Sequence, residues 1–335
     1  MRAPAFWWRD ASWAAALLAP LARLYGAVAA RRLAQPGRAA GVPVVCVGGL
    51  TVGGSGKTPT ALMVGRLLGD RQPVFLTRGY GGALAGPVTV DPARHSARDV
   101  GDEPLLLARV APTVVARDRA AGAAAARAAG AGVIVMDDGF HNPAVAKDVS
   151  LVVVAADHGI GNGRVCPAGP LRAPLAAQLA KADALVVIGE GTAAAFAPGI
   201  AAVIAAAPAL PVFRGRLAAD AAALSALAGR PALAFAGIGH PDKFFVTLAA
   251  AGIAVAVRRP FPDHHRYTAA EAAALVAEAE RANLTLLTTE KDLVRLGRDD
   301  GGAALARHAR ALPVRLMLDE EERFARFVRG KLERS

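Results

Sequence analysis

The chain has 335 residues, of which 54% are hydrophobic, and a formal net charge of +11. This length exceeds the usual size of one domain, and the apolar content suffices for more than one core, so we expect two domains. The two cysteines, Cys46 and Cys166, are too few for a disulfide framework and lack the spaced partners of a metal cluster. The excess of positive charge suits an anionic partner, either nucleic acid or an acidic membrane surface.

The first segment, residues 6–30, is apolar, but charged residues and Pro20 interrupt it, so it is too short to span a membrane. At about 100° per residue one face is apolar, and Pro20 should kink the helix. The residues on that face are Phe6, Trp13, Leu17, Leu21, Leu24 and Val28.

Residues 1–40 hold six arginines against one acidic residue, a net charge of +5, and all three tryptophans of the chain, Trp7, Trp8 and Trp13. Indole rings and arginines on an amphipathic helix favour an element that lies on a membrane surface. The alternative is a helix that covers the core of its own domain. A nucleic-acid-binding protein should carry its aromatic residues along the whole chain, so we expect no nucleic acid partner.

A glycine turn, TVGGSGKT (51–58), separates the apolar run PVVCVGGL (43–50) from a segment with helical spacing, PTALMVGRLLGD (59–70). Strand, glycine turn and helix form the context of a P-loop, whose pattern matches except that Thr51 replaces the first glycine. The backbone N–H groups would bind phosphate, Lys57 would reach the β- and γ-phosphates and Thr58 would bind Mg²⁺. The predicted nucleotide-binding residues are Thr51, Val52, Gly53, Gly54, Ser55, Gly56, Lys57 and Thr58.

A later strand, GVIVMDDGF (132–140), ends in Asp137 and Asp138. Either carboxylate would hold Mg²⁺, directly or through water, although a pair of aspartates is also an ordinary turn sequence. The segment AKAD (180–183) is an incomplete version of the Asn/Thr-Lys-x-Asp pattern of GTP-binding proteins, and it precedes a strand instead of following one. We therefore expect ATP.

Three polar segments come where strands end or helices begin. TRGYGG (77–82) places Arg78 and Tyr80 at the sheet edge of the P-loop. In GDEPLLLA (101–108), Asp102 is either a functional carboxylate or a helix N-cap. In FPDHHRYTAAE (261–271), Thr268 and Glu271 form a capping box, which leaves His264 and His265 in the preceding loop. These histidines are either incidental or have a catalytic or phosphate-contacting role.

The apolar runs predict an α/β fold with a mostly parallel sheet and helices on both faces, followed by a smaller α/β domain. The runs assigned to the first sheet lie near 43–47, 73–77, 112–116, 132–136, 150–154 and 184–188, and those of the second domain near 231–238, 253–261, 284–289 and 314–318. We place a linker in 200–220 because of its prolines and two short strand-like runs. The expected divisions are a membrane-docking helix over 1–35, a P-loop domain over 36–205 and the smaller domain over 206–335.

Taken in order, TVGGSGKTP, TRGYGG, GDEP, DDGF, PAGPLR and FPDHH resemble the tetraacyldisaccharide 4'-kinase family, the lipid A 4'-kinases of Gram-negative bacteria. The resemblance extends from the N-terminal helix to about residue 292 and accounts for Thr51. It implies transfer of the ATP γ-phosphate to the 4'-hydroxyl of a tetraacylated glucosamine disaccharide 1-phosphate. It also implies a peripheral enzyme on the cytoplasmic face of the inner membrane.

By the same resemblance, Asp102 matches the aspartate that activates the acceptor and His264 matches its supporting histidine. Glu103 and Asp138 match positions near Mg²⁺, and Arg78 and Arg172 match basic residues that face phosphate. The chain departs from the family pattern in two places. His141-Asn142 replaces a Gln-His pair, and Ala173 replaces a glutamate.

The rival interpretation is a membrane-associated P-loop switch protein that hydrolyses nucleotide and has no small acceptor. It leaves Asp102 and His264 without a role.

Overall fold

The computed structural model describes residues 3–9, 12–189, 197–227, 229–297 and 302–334. Short 3₁₀ turns lie at Ala5–Trp8 and Gly69–Arg71. The α-helices are α1 (Trp13–Leu17), α2 (Ala19–Ala34), α3 (Lys57–Leu67), α4 (Ala97–Val100), α5 (Asp102–Leu107), α6 (Arg119–Ala128), α7 (Leu175–Leu179), α8 (Pro198–Ala206), α9 (Ala221–Leu227), α10 (Pro241–Ala250), α11 (Ala269–Arg281), α12 (Glu290–Leu296), α13 (Gly302–His308) and α14 (Glu321–Leu332). The strands are β1 (Val44–Gly49), β2 (Pro73–Thr77), β3 (Val88–Thr89), β4 (Thr113–Val115), β5 (Val133–Asp137), β6 (Val149–Ala155), β7 (Ala184–Ile188), β8 (Val212–Ala219), β9 (Ala232–Ala236), β10 (Val255–Pro260), β11 (Thr285–Thr289), β12 (Arg310–Leu312) and β13 (Val314–Leu318).

The larger sheet has nine strands in the order β13-β8-β7-β6-β1-β5-β2-β4-β3. Neighbours are parallel except at the two edges, where β13 and β3 run antiparallel to β8 and β4. The central strands β1 and β5 are buried throughout because they are built from valine, isoleucine and other apolar residues, as expected for a parallel sheet covered on both faces. The predicted α/β class with a mostly parallel sheet is confirmed.

The register of the central strands brings the two sequence motifs together. Val47 of β1 is paired with Asp137 of β5, so the P-loop and the aspartate pair leave the sheet at the same edge. Carboxyl ends of parallel strands are the usual place for ligands in such folds.

Two buried layers cover the faces of this sheet. One contains Cys46, Ile134 and Phe140, and the other contains Phe75, Leu107 and the residues that α3 and α14 contribute. Burial raises the pKa of the Cys46 thiol to about 12, so this cysteine is part of the core and not a reactive group.

The smaller sheet has the order β10-β9-β11-β12, with all neighbours parallel. Helix α10 packs Phe244 and Phe245 on one face, and α11 packs Leu275 on the other. Thr268 and Glu271 form the predicted capping box at the start of α11.

One expectation about the second domain is wrong and another is met in part. Strand β13 is not part of the smaller sheet: it pairs with β8 in the larger one, and α14 then packs Phe324 edge-on against Phe213 with ring centroids 5.0 Å apart. Of the two strand-like runs expected in 200–220, the second forms the strand β8, but the first lies in the helix α8. The strands of the smaller sheet therefore lie between Ala232 and Leu312. This segment is inserted between two strands of the larger sheet, β8 and β13.

The N-terminal segment also differs from the expected single kinked helix. A 3₁₀ turn precedes α1, and Leu18 separates α1 from α2. Pro20 therefore lies in the first turn of α2, where its missing N–H costs nothing. Trp7 is buried, and its Nε1 donates a hydrogen bond to the Pro167 carbonyl at 2.9 Å. None of the helices within the described residues is both long and apolar enough to cross a membrane.

Candidate active site

The loop between β1 and α3 has the form of a phosphate-binding turn. Gly56 has φ 91°, and a Cβ there would lie 2.6 Å from Ile188 Cδ1, so a glycine is required. Gly53 has φ 116° and faces open space. The Lys57 ammonium donates to the Gly53 carbonyl at 3.0 Å, and burial lowers its pKa. The loop is therefore shaped for a phosphate group that would share the lysine charge.

Asp137 lies next to Thr58, whose Oγ1 donates to Asp137 Oδ2 at 3.0 Å. Burial, followed by the negative charges of Asp138 and Glu103, raises the pKa of Asp137 to about 6. Asp137 Oδ1 and Glu103 Oε2 are buried without a hydrogen-bond partner among the described residues. These two oxygens are therefore available to a cation, although Lys291 already pairs with the other oxygen of Glu103.

These residues fit Mg²⁺, because the ion prefers carboxylate and hydroxyl oxygens. Across the described ranges, no set of three or more His, Cys, Asp or Glu side chains is arranged to hold a metal ion. A Mg²⁺ ion that is bound mainly through nucleotide phosphates and one or two protein oxygens needs no such set.

Asp138 has a different environment from Asp137. Its φ of 53° is unusual for a residue other than glycine, and its Oδ2 is 3.2 Å from Arg172 Nη2 and 3.8 Å from Lys57 Nζ. Burial opposes ionisation, but these two cations hold its pKa below the usual range. Arg172 Nε also donates to the Thr51 carbonyl at 3.1 Å, so Asp138 and Arg172 brace the P-loop.

Asp102 is the first residue of α5, and its side chain caps nothing, so the N-cap interpretation is wrong. The N-cap position is occupied by Gly101, with φ 92°, where a Cβ would lie 2.4 Å from the Tyr80 carbonyl oxygen. Asp102 Oδ2 accepts a hydrogen bond from His264 Nδ1 at 3.0 Å. The chain thus brings together two residues that are 162 positions apart.

Within this pair, each side chain stabilises the charged form of the other. Burial would raise the pKa of Asp102, but hydrogen bonds from His264 and Arg295 outweigh it and hold that pKa below the usual range. The hydrogen bond to Asp102 raises the pKa of His264. An ionised carboxylate held by an imidazole can accept a proton from a hydroxyl group.

Sequence reasoning missed two cations on α12. Arg295 binds Asp102, and Lys291 Nζ lies 2.7 Å from Glu103 Oε1. The two cations lie four positions apart on a helix that follows a strand, and this spacing was the only pattern that could have indicated a shared role. The same spacing is common on a solvated helix face.

The remaining predicted residues divide into two groups. Tyr80 is exposed, with its ring centroid 5.6 Å from that of His264, and Arg78 is exposed at the end of β2. His265 has a structural environment instead, since it stacks on Phe261 at 4.7 Å and lies 3.1 Å from Glu271. Of the two adjacent histidines, only His264 is bonded to Asp102.

The two departures from the family pattern lie together. His141 Nε2 is 2.7 Å from Gln178 Oε1, and Gln178 Nε2 donates to the carbonyl oxygen of the buried Ala173. Burial lowers the pKa of His141 to about 4, so this imidazole is neutral.

A phosphate-binding loop at the edge of a parallel sheet, beside a carboxylate–histidine pair, defines the class of nucleotide-dependent phosphotransferases. The profile of the family described as tetraacyldisaccharide-1-P 4'-kinase matches residues 14–333. The chain therefore belongs to this family of kinases.

Relatives of known name agree with this assignment. A tetraacyldisaccharide 4'-kinase of Methylobacterium sp. (strain 4-46) is 59% identical over 340 residues, which cover 99% of each chain. One of Rhodopseudomonas palustris (strain BisA53) is 56% identical, over 99% of this chain and 96% of that protein. The crystal structure of the "apo" form of LpxK from Aquifex aeolicus in complex with ATP is similar in fold, with a TM-score of 0.72 and 25% identity over 95% of this chain and 99% of that one.

Proposed function

We propose that this protein transfers the γ-phosphoryl group of ATP to the 4'-hydroxyl of a tetraacylated glucosamine disaccharide 1-phosphate, with Asp102 as the base. The observation that carries the proposal is the Asp102–His264 pair on the same side of the sheet as Lys57 and Thr58. Family membership supports the reaction, and the structural neighbour with bound ATP supports the donor.

On the donor side, residues 51–58 surround the phosphates of ATP, and Lys57 neutralises the negative charge that develops on them during transfer. Arg172 braces the loop through Thr51, and Arg78 and Tyr80 lie at the open edge where the acceptor enters. Thr58 and Asp137 would hold Mg²⁺, with Glu103 and Asp138 close by. The ion would supply positive charge that neutralises phosphate oxygens.

On the acceptor side, the 4'-oxygen attacks the γ-phosphorus while Asp102 accepts the hydroxyl proton. The bond between the γ-phosphorus and the bridging oxygen breaks, and its electron pair stays on ADP. His264 donates a hydrogen bond from Nδ1 to Asp102, and this bond holds the carboxylate in place during the step.

The N-terminal segment places the enzyme at its lipid substrate. The outward face of α1 and α2 carries Trp13, Leu17, Leu21, Leu24 and Val28, each more than half exposed, whereas Ala15, Ala22 and Gly26 face the protein. A helix that only covered its own core would bury its large side chains and not its small ones. We therefore place the protein as a peripheral enzyme on the cytoplasmic leaflet of the inner membrane, with exposed arginines at acidic headgroups.

The test is transfer of label from ATP labelled at the γ-phosphate to detergent-dispersed disaccharide 1-phosphate, with Mg²⁺ present. We expect a labelled lipid, and Lys57→Ala should slow its formation by about 10²-fold or more while the protein stays folded. Arg259→Gln, which removes an exposed ion pair to Glu278 in the second domain, is the control and should leave the rate unchanged. Label that appears only in inorganic phosphate would support the rival switch protein.

A further inference from the structure

Helix α12 of the second domain packs directly on α5, the helix that begins with Asp102. Val294 belongs to the same buried cluster as Leu105 and Leu106 of α5. On either side of this apolar contact, Arg295 meets Asp102 and Lys291 meets Glu103. Two cations one helical turn apart on α12 therefore face two adjacent carboxylates at the start of α5.

Arg295 is held in place by its own domain before it reaches Asp102. Its Nη1 donates to Asp292 Oδ1 at 2.8 Å and to the Gly237 carbonyl at 2.9 Å. Asp292 is fully buried and is itself fixed by Tyr267, whose hydroxyl donates to it at 3.0 Å, and by Thr289, which donates at 2.6 Å. The guanidinium is thus a rigid extension of the second domain.

The bonds from Arg295 reach only one oxygen of Asp102. Arg295 Nε and Nη2 donate to Oδ2, at 3.0 and 2.5 Å, and this is the oxygen that also accepts from His264 Nδ1. None of the three bonds uses Oδ1. The side chains of Arg295 and Asp102 are both more than nine-tenths buried, so this ion pair is shielded from water.

We propose that Arg295 is a positioning residue of the phosphotransfer site, which holds the Asp102 carboxylate so that Oδ1 faces the acceptor hydroxyl. The inference rests on the proposed function, in which Asp102 is the base. Arginine suits this role better than lysine, because its planar fork fixes a carboxylate in two bonds. The second domain thereby completes a site whose nucleotide-binding half lies in the first.

The experiment compares Arg295→Met and Arg295→Lys with the control Arg259→Gln, measuring kcat and KM for ATP. We expect Arg295→Met to lower kcat by about 10²-fold, as misplacement of a reacting group does, with KM for ATP unchanged. Arg295→Lys keeps the charge without the fork, so it should retain more of the rate, and its kcat should fall by about 10-fold. Arg259→Gln should change neither quantity.

Thermal unfolding in the same buffers shows which variants are folded, and Arg295→Lys remains informative if Arg295→Met is not. An unchanged kcat in a folded Arg295→Met protein overturns the inference. So does an equal loss of kcat in both variants, because that is the result of a merely structural contact. Normal kcat in Asp102→Asn would instead overturn the proposed base, whereas an inactive Asp102→Asn beside an active Arg295→Met overturns only the role of Arg295.

Discussion

Asp137 is a buried carboxyl group, and its burial lowers the stability of the folded protein at neutral pH. Its pKa is raised from 3.8 to about 6, so the folded state holds a proton that the unfolded state releases. The stability associated with this proton is fully present below about pH 4 and is lost as the pH rises through 6. At neutral pH the group is ionised at a buried site, where Lys57 and the Thr58 hydroxyl offset only part of the cost of burial. A bound metal ion would offset more of it.

We expect Asp137→Asn to stabilise the protein in the absence of metal at pH 7.5, by up to about 3 kcal/mol, since a shift of about two pKa units corresponds to that free energy. The gain should vanish near pH 4, where Asp137 is already neutral. Denaturant unfolding in EDTA across this pH range measures it. The exposed Asp319→Asn is the control and should show no such trend. A loss of stability at pH 7.5 would contradict the explanation, and kinase activity should fall despite the gain.

Asp102→Asn tests the base directly. The amide has nearly the same shape, but it leaves the buried Arg295 guanidinium without its ionic partner, so thermal unfolding must first show that the variant is folded. If Asp102 accepts the hydroxyl proton, kcat should fall by about 10²–10⁴-fold with little change in ATP affinity. Single-turnover transfer and nucleotide titration separate the two effects.

His264→Ala should lower kcat less than Asp102→Asn, and the double variant should be far from additive, because the two side chains act as one unit. Strict additivity in this cycle would contradict the pair while leaving the phosphate-binding loop in place.

At the scale of the element, α1 and α2 show which side of an amphipathic helix faces the protein. Small residues line the side that faces the protein. A Cβ atom at Gly26 would lie 3.5 Å from Pro174 Cγ, in van der Waals contact. Trp13 and Leu17 lie on the other side, 82% and 73% exposed. Such an exposed apolar stripe is the surface expected of a helix that lies in a bilayer interface.

Replacing Leu21 and Leu24 with glutamate should release the protein from vesicles that contain anionic lipid. Burial of each leucine contributes about 1.5–3 kcal/mol, so binding should weaken by at least about 10²-fold. Vesicle sedimentation measures it, and the binding of the unchanged protein should also weaken at high salt.

The matched control is Val246→Glu with Met317→Glu, which adds the same charge at exposed apolar positions away from the helix. Equal sedimentation of the two double variants would show that the helix does not contact lipid.

At the scale of the whole molecule, the last segment of the chain belongs to the first domain. Strand β13 extends the larger sheet, and α14 buries Phe324, Val328 and Leu332 in the core layer that also contains Phe213. The smaller domain is therefore an insertion between β8 and β13, and both of its connections lead to one edge of the larger sheet.

This topology predicts that Phe324→Ala destabilises the P-loop domain, although the residue lies close to the end of the chain. The lost free energy of unfolding should be about 3–5 kcal/mol, as for other buried phenylalanines. Urea unfolding followed by tryptophan fluorescence reports it, because the buried Trp7 packs against the first domain.

Arg326→Ala on the same helix removes only an exposed pair to Glu322 and should change stability by less than about 0.5 kcal/mol. Equal effects of the two substitutions would contradict the assignment of α14 to this core.

Local patterns in the sequence determined the sheet class, the P-loop and the chemistry of its residues. A β-branched apolar run, a glycine turn and a helical spacing lie within 30 positions of one another, so short-range physics alone specifies that motif. The same holds for the capping box at Thr268 and for the amphipathic character of residues 13–28.

Only the tertiary structure decided which distant residues meet. Whether Asp102 caps a helix or binds His264 depends on where α5 and the loop before α11 pack, and no local pattern contains that information. From the sequence alone, Arg295 has the pattern of a solvated cation, and its role depends on the packing of α12 on α5. The sequence of β13 is compatible with either sheet, and only its hydrogen-bond partner decides between them. Long-range contacts arise from burial and pairing between separate elements, whereas a sequence pattern reports only the preferences of each element by itself.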